Sequence, residues 1–315
     1  MLQLVKARKV WGVVQLFHGQ HVETISNLRR GLHFTTIEDS HASSNSMAAQ
    51  MHSLQGPSLA AGMAKLRWLS NSNNASFTDL TLSCLVVSPL GRSLDKFDTI
   101  LEFLEGFRDA IKAHRSLYLD GKVLHQDIST GNIMIPEVKK NGEPRGLIID
   151  LDNAMELAVG PPTPARLVGT KPFMAIDLLA LTPHTYRHDL ESFLYVFLLI
   201  AICDGHKQLP PKSRLQGWQV GSWAELAKTK TQDMADDNFA TIIFEFTPKF
   251  RDLGSLAYSL REALFFPLQD GALFMGTKPG MYETGRLYAR MIGAFEAAVS
   301  LYNLRIFKAR GHSEG

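Results

Sequence analysis

The 315-residue chain has only two cysteines, Cys84 and Cys203, far apart and outside any C-x-x-C spacing, which argues against a disulfide framework or a structural zinc site. Charge of one sign is also missing. With 33 lysines and arginines against 31 aspartates and glutamates, interspersed for a formal net charge of +2, nothing suggests nucleic acid or an anionic membrane as a partner. The most apolar run, Phe193 to Cys203, is about half the ~20 residues that a membrane helix needs. It reads as a buried helix. Met1 to Phe17 mixes Lys6, Arg8 and Lys9 with apolar residues and has neither a continuous apolar core nor a small-residue cleavage site, so the expected location is intracellular, cytoplasmic or nuclear. Neither G-x-G-x-x-G nor G-x-x-x-x-G-K-S/T occurs anywhere, so the familiar glycine-rich phosphate cradles are absent from the sequence.

What is present suffices for a globular protein. At 45% hydrophobic and 20% charged, the chain can bury one large core or two modest ones. Val13 to Phe17 reads as a strand, Val22 to Leu32 as a mixed segment, and residues 35–74 as a Ser-, Asn-, His- and Ala-rich insertion, expected to be poorly ordered, with a short helix at Leu59 to Leu69. Leu80 to Ser88 is a further strand, broken by Pro89-Leu90-Gly91. Ile100, Leu104, Phe107, Ile111 and Tyr118 recur at helical spacing. Helices are also expected at His188 to Cys203, Ser222 to Lys228, Phe250 to Phe265 and Thr284 to Tyr302. Trp218 and Trp223 read as core residues. The run Lys228-Thr229-Lys230 followed by Asp233, Asp236 and Asp237 reads as a solvated loop or helix end.

The chemistry concentrates between His125 and Asp152, in HQDISTGNIMI followed by a polar excursion and GLIIDLD. Asp127 follows the apolar lead-in of Lys122 to Leu124, and a carboxylate presented on such a loop can accept or orient a hydroxyl proton. Asn132, five residues on, offers a neutral amide oxygen suited to a hard cation such as magnesium. Asp150 closes the apolar run Leu147-Ile148-Ile149, and a charge at the tip of a buried strand needs a partner, commonly a metal ion. These are the parts that hold a magnesium nucleotide beside an acceptor hydroxyl.

The stretch resembles the catalytic and metal-binding loops of protein kinases, and specifically the fungal-type protein kinase family. Gly169-Thr170-Lys171-Pro172-Phe173-Met174-Ala175-Ile176-Asp177 is similar to the kinase segment that shapes the acceptor groove, and Tyr186 to Tyr195 to the fungal family's central helix. The resemblance implies that Asp127 is the catalytic-loop aspartate and that Asn132 and Asp150 are magnesium ligands. Thr170 would be the groove threonine of serine/threonine kinases. It implies architectural roles for His125, for Asp189 in pinning the catalytic-loop backbone, and for Asp177 in pairing with an arginine, for which Arg261 is the candidate. Ser88 and Leu90 would lie in the hinge that binds adenine through backbone groups.

Several positions depart from the pattern. Gln126 replaces the arginine that reads a phosphorylated activation loop. Ser129 stands where serine/threonine kinases usually place a lysine on the transferred phosphoryl group, as it does in fungal-type relatives. Asp152 replaces the glycine of the D-F-G triplet, and its carboxylate would join the metal or face water.

The expected fold is α+β and kinase-like: a mainly helical large lobe over residues 89–315 and a truncated β small lobe over residues 1–88. The expected activity is transfer from ATP, with Mg2+, to a serine or threonine of a protein substrate, with no nucleic acid and no membrane as partner. Two alternatives stay open: a scaffold that has lost catalysis, and a small-molecule kinase resembling aminoglycoside or choline kinases.

Overall fold

A computed structural model describes residues 1–28, 81–160, 167–205, 208–266 and 281–311. In chain order these form α1 (Leu2–Ala7), β1 (Gln15–Thr24), α2 (Ile25–Leu28), β2 (Thr81–Ser88), β3 (Gly91–Ser93), α3 (Ile100–Leu119), β4 (Val123–Leu124), β5 (Ile133–Pro136), β6 (Leu147–Ile148) and β7 (Met155–Glu156). Helices then dominate: α4 (Tyr186–Cys203), α5 (Trp223–Asp233), α6 (Asp236–Phe244), α7 (Gly254–Leu264) and α8 (Met281–Gly311). The architecture is α+β, with small sheets and a large helical part. The whole 35–74 insertion, with the expected helix at Leu59 to Leu69, lies outside the described residues.

The chain divides into two compact units. The smaller, residues 18–86, holds most of the two-stranded sheet β1–β2, in which the large apolar side chains Leu82, Leu85 and Val86 are exposed. The larger joins residues 1–17 to residues 87–315. Within it the expected strand at Val13 to Phe17 begins instead at Gln15, while Val13 forms an isolated parallel bridge to Ile148. The Gly12 carbonyl accepts from Ile148 N–H at 2.9 Å, and Val14 N–H donates to Ile148 at 3.2 Å.

Helix α3 forms where its sequence says it should. Thr99 caps it by accepting from the Glu102 N–H at 3.1 Å, and its apolar stripe buries Phe103, Leu104, Phe107 and Ile111 completely. Phe103 and Phe107 meet Phe193 and Phe197 of α4, Phe250 and Phe295, with Phe107 and Phe295 stacked at 4.7 Å. Each such phenylalanine contributes roughly 1.5–3 kcal/mol by leaving water. Helix α4 is buried along nearly its whole length. No described helix is long and apolar enough to cross a membrane.

Sheet β3–β5–β6 is antiparallel, with Ile133 opposite Ile148 and Met134 opposite Leu147. It reaches α3 through a close approach of two glycines. A Cβ on Gly146 would lie 1.8 Å from the Gly106 carbonyl oxygen, so the chain entering β6 touches the helix backbone itself. Asp109 of α3 secures the same place by accepting from Arg145 N–H at 2.8 Å.

The C-terminal helices run somewhat differently from expectation. The segment Phe250 to Phe265 splits into a 3-10 turn at Arg251–Leu253 and α7, and α8 extends well beyond Thr284 to Tyr302 in both directions.

Candidate active site

The short strand β4, buried and paired with β7, delivers His125, Gln126 and Asp127 to a loop. The next residues close a 3-10 turn at Thr130–Asn132 and run directly into β5. Because β5 pairs with β6 at Ile133 and Ile148, Asn132 falls beside Ile149, and the Asn132 carbonyl accepts from Ile149 N–H at 3.1 Å. Asn132 also donates from its amide to the Asp127 carbonyl at 2.8 Å. Asp150 follows at once, exposed, in the left-handed region at φ +61°. Asp127, Asn132 and Asp150 are thus brought together by one continuous backbone network.

His125 ties Asp127 to Ile149, the residue before Asp150. Its buried ring receives the Asp127 N–H at Nδ1, 3.2 Å, and donates from Nε2 to the Ile149 carbonyl at 3.0 Å. This pattern needs the neutral ring protonated at Nε2. Burial lowers its pKa below the usual histidine value, outweighing the nearby Asp189.

Asp189, on α4, holds the loop from the other side. Its carboxylate accepts from His125 N–H and Gln126 N–H, both at 3.1 Å, and from the Nε2 atoms of His114 and His184 at 2.8 Å each. Gln126, at φ +68°, is in a backbone region that non-glycine residues seldom occupy. Burial alone would raise the Asp189 pKa, but His184 and His114, with their hydrogen bonds, hold it well below the usual carboxylate range. His114 in turn meets the Tyr288 hydroxyl at 2.8 Å, so α8 also supports the loop.

The Asp127 carboxylate itself is partly exposed and faces the segment after residue 166. One oxygen accepts both the N–H and the hydroxyl of Thr170, at 2.9 and 2.7 Å, and the other accepts from Asn153 Nδ2 at 3.2 Å. Gly169 precedes at φ +124°, where a Cβ would come within 3.2 Å of the Gln126 carbonyl. Ser129 is buried, and its carbonyl accepts from Asn132 N–H. Ser88 and Leu90 are exposed, with the Leu90 carbonyl accepting from Glu137 N–H at 3.0 Å.

A cation would find oxygens here and little else. Asn132 commits its amide nitrogen to Asp127, which leaves its side-chain oxygen to offer. Asp150 and Asp152 are exposed, with Asp152 N–H donating to Asp150 Oδ1 at 3.2 Å. An amide oxygen and carboxylates are a donor set that fits Mg2+, which keeps several waters and substrate phosphates as its other ligands. No group of three or more His, Cys, Asp or Glu side chains arranged to hold a metal ion occurs among the described residues.

Downstream of Thr170 the segment turns through 3-10 geometry at Lys171–Phe173 and again at Asp177–Ala180. Asp177 and Arg261, expected to pair, do not. Arg261 pairs with Asp236 and donates to the Met234 carbonyl, while Asp177 lies 3.7 Å from His188 Nε2. The acid that holds this segment is Glu191 of α4. It accepts from Ile176 N–H at 2.7 Å, from the Tyr195 hydroxyl at 2.7 Å and from Arg187 at 2.6 Å.

The solvated reading of Lys230 and Asp233 also fails. Both are buried on the inner face of α5, whereas Lys228, Asp236 and Asp237 are exposed. Leu226, Lys230, Asp233 and Met234 recur at helical spacing, and that periodicity was the available signal. Asp233 accepts from Trp218 Nε1 at 2.7 Å and pairs with Arg214. Trp218 is buried as expected, but Trp223 is half exposed beside Lys171, 5.2 Å from its ammonium.

A family model described as fungal protein kinase matches residues 1–202 of the chain. No curated protein matches the chain significantly.

Proposed function

The chain belongs to the fungal protein kinase family, and we propose that it transfers the γ-phosphoryl group of ATP to a serine or threonine hydroxyl of a protein. In this reading residues 89–315 correspond to the helical large lobe of a kinase-like fold and residues 1–88 to the remnant of the small lobe. The observation that carries it is the hydrogen-bonded path from Asp127 through Asn132 to Ile149 and Asp150, which groups a candidate base with two oxygen donors.

Asp127 accepts the proton of the acceptor hydroxyl as that oxygen bonds to phosphorus and the bond to the leaving ADP breaks. Thr170 and Asn153 fix both of its oxygens, so its remaining lone pairs are aimed before substrate arrives. Mg2+ bound with ATP would neutralise charge on the phosphates, and Asn132, Asp150 and Asp152 are the residues to hold it. His125 and Asp189 keep the loop geometry fixed without touching substrate.

Incubation with γ-labelled ATP, Mg2+ and a serine/threonine peptide mixture tests the reading. Label is expected on serine or threonine, falling at least ~100-fold in Asp127→Asn and Asp150→Asn. Equal incorporation by the wild-type chain and both variants would sink it. A scaffold that has lost catalysis is the alternative reading. Titration with Mg2+ and ATP separates the two, because ligand at ~100 times its dissociation constant stabilises a binding fold by about 2.7 kcal/mol.

A further inference from the structure

Lys230 is the most unusual charge among the described residues. It sits on α5 with no solvent exposure, and a buried lysine is costly unless its ammonium is fully partnered. It has partners on every side. Nζ donates to the Pro172 carbonyl at 2.8 Å and to the Met174 carbonyl at 2.6 Å. The ring of Tyr195 lies 3.9 Å from Nζ and that of Trp218 at 5.0 Å, distances at which an aromatic face attracts a cation.

The charged groups around this box come from several elements. Glu191 of α4 and Asp233 of α5 both favour the ammonium, though burial outweighs them and lowers the Lys230 pKa to about 7. Glu191 is itself paired with Arg187, and Asp233 with Arg214.

The two carbonyls that Lys230 receives belong to the segment that begins at Thr170. Its inward backbone groups have few partners of its own making. Phe173 N–H bonds to the Thr170 carbonyl and Met174 N–H to that of Lys171, while the Pro172 and Met174 carbonyls and the Ile176 N–H turn toward Lys230 and Glu191. Left unmet inside the fold, such groups would each cost about 1–3 kcal/mol. Two side chains on two helices therefore suspend this stretch, and its free end is Thr170, which grips Asp127.

We propose that Lys230 is a positioning residue for the protein acceptor: by holding the Pro172 and Met174 carbonyls it fixes the segment on which the acceptor peptide is laid beside Asp127. Lys230 touches neither the acceptor nor the nucleotide, and acts through the backbone of residues 170–176. A methionine of similar length would pack between Tyr195 and Trp218 but offer no donor. The consequence falls on peptide binding and not on nucleotide binding. The part concerning catalysis rests on the kinase reading, while the part concerning the segment does not.

The test compares the full wild-type chain with Lys230→Met by amide hydrogen exchange and by steady-state kinetics on a serine/threonine peptide. In the wild type, residues 170–176 are expected to exchange slowly, within tenfold of α4. In Lys230→Met that segment is expected to exchange at least 10-fold faster while α4 is unchanged. KM for peptide should rise about 10-fold with KM for ATP within twofold. Unchanged exchange at 170–176, or KM for both substrates rising together, would overturn the proposal. So would fast, loop-like exchange of 170–176 in the wild type, which needs no variant to fold. If the wild-type chain transfers no phosphate, the kinase reading fails and the exchange comparison alone decides whether Lys230 holds the segment.

Discussion

Thr170 grips a single oxygen of Asp127 twice, through its N–H at 2.9 Å and its hydroxyl at 2.7 Å. The backbone contact is open to any residue but proline, while the hydroxyl contact needs a threonine or serine. Thr170→Val is therefore expected to slow phosphoryl transfer about 10- to 100-fold by loosening the aim of Asp127. Thr170→Ser should keep most of the rate, and kcat for the two variants on one peptide checks the difference.

His125 fills a position that a purely apolar side chain cannot. It satisfies the Asp127 N–H and the Ile149 carbonyl at once inside a sealed site. His125→Leu leaves both groups unmet and is expected to destabilise the fold by about 2–5 kcal/mol, read from the midpoint of urea unfolding. Fold and activity should fail together, because the same two bonds align Asp127 with the strand that ends at Asp150.

Arg187 and Glu191 form a buried pair one helical turn apart on α4. Removing one partner strands the other, so Glu191→Met is expected to cost about 3–5 kcal/mol. In the double variant Arg187→Met with Glu191→Met, neither partner of the pair is stranded, although the Ile176 N–H and the Tyr195 hydroxyl lose their acceptor and the Leu264 carbonyl loses a donor. Its loss should be clearly smaller than the sum of the single variants, and a double-mutant cycle in urea measures the coupling.

Acid should weaken the fold through two buried imidazoles. Burial, with His184 and Arg187 nearby, pushes the His188 pKa down to about 3, and burial lowers that of His125 as well. As pH drops below about 6.5, the unfolded chain takes up protons that the folded chain refuses, so stability declines progressively toward pH 3. For His188 the slope reaches about 1.4 kcal/mol per pH unit, and His125 adds in the same direction. Asp189 acts at a lower range, because its depressed pKa preserves its contribution until pH falls through that folded value. Unfolding midpoints between pH 7 and pH 5 are expected to fall, and a flat profile would contradict the assignment.

Different parts of this molecule were legible to different degrees. Helix α3 could be read because its apolar residues recur along one stripe, to which the structure adds the cap at Thr99. An aspartate and an asparagine on one loop and an aspartate ending an apolar strand suggested Asp127, Asn132 and Asp150 as candidates, and the pairing of β5 with β6 sets Asn132 beside Ile149. Glu191 and Lys230 were hidden for a physical reason. Their partners are backbone groups 15 and more than 50 residues away, and a backbone carbonyl leaves no mark of its own in a sequence. Asp177 illustrates the opposite error: a motif suggested a partner, whereas the packing of α5 to α7 gave Arg261 to Asp236 and Met234.

The meeting of Gly106 and Gly146 acts as a ruler. Helix α3 leads toward Asp127 and β6 ends just before Asp150, and where the two elements touch there is no side chain to compress, rotate or swap. The spacing between Asp127 and Asp150 is then referenced to main chain against main chain. Substitutions elsewhere in the phenylalanine-rich core can change how tightly the protein holds together without resetting that distance.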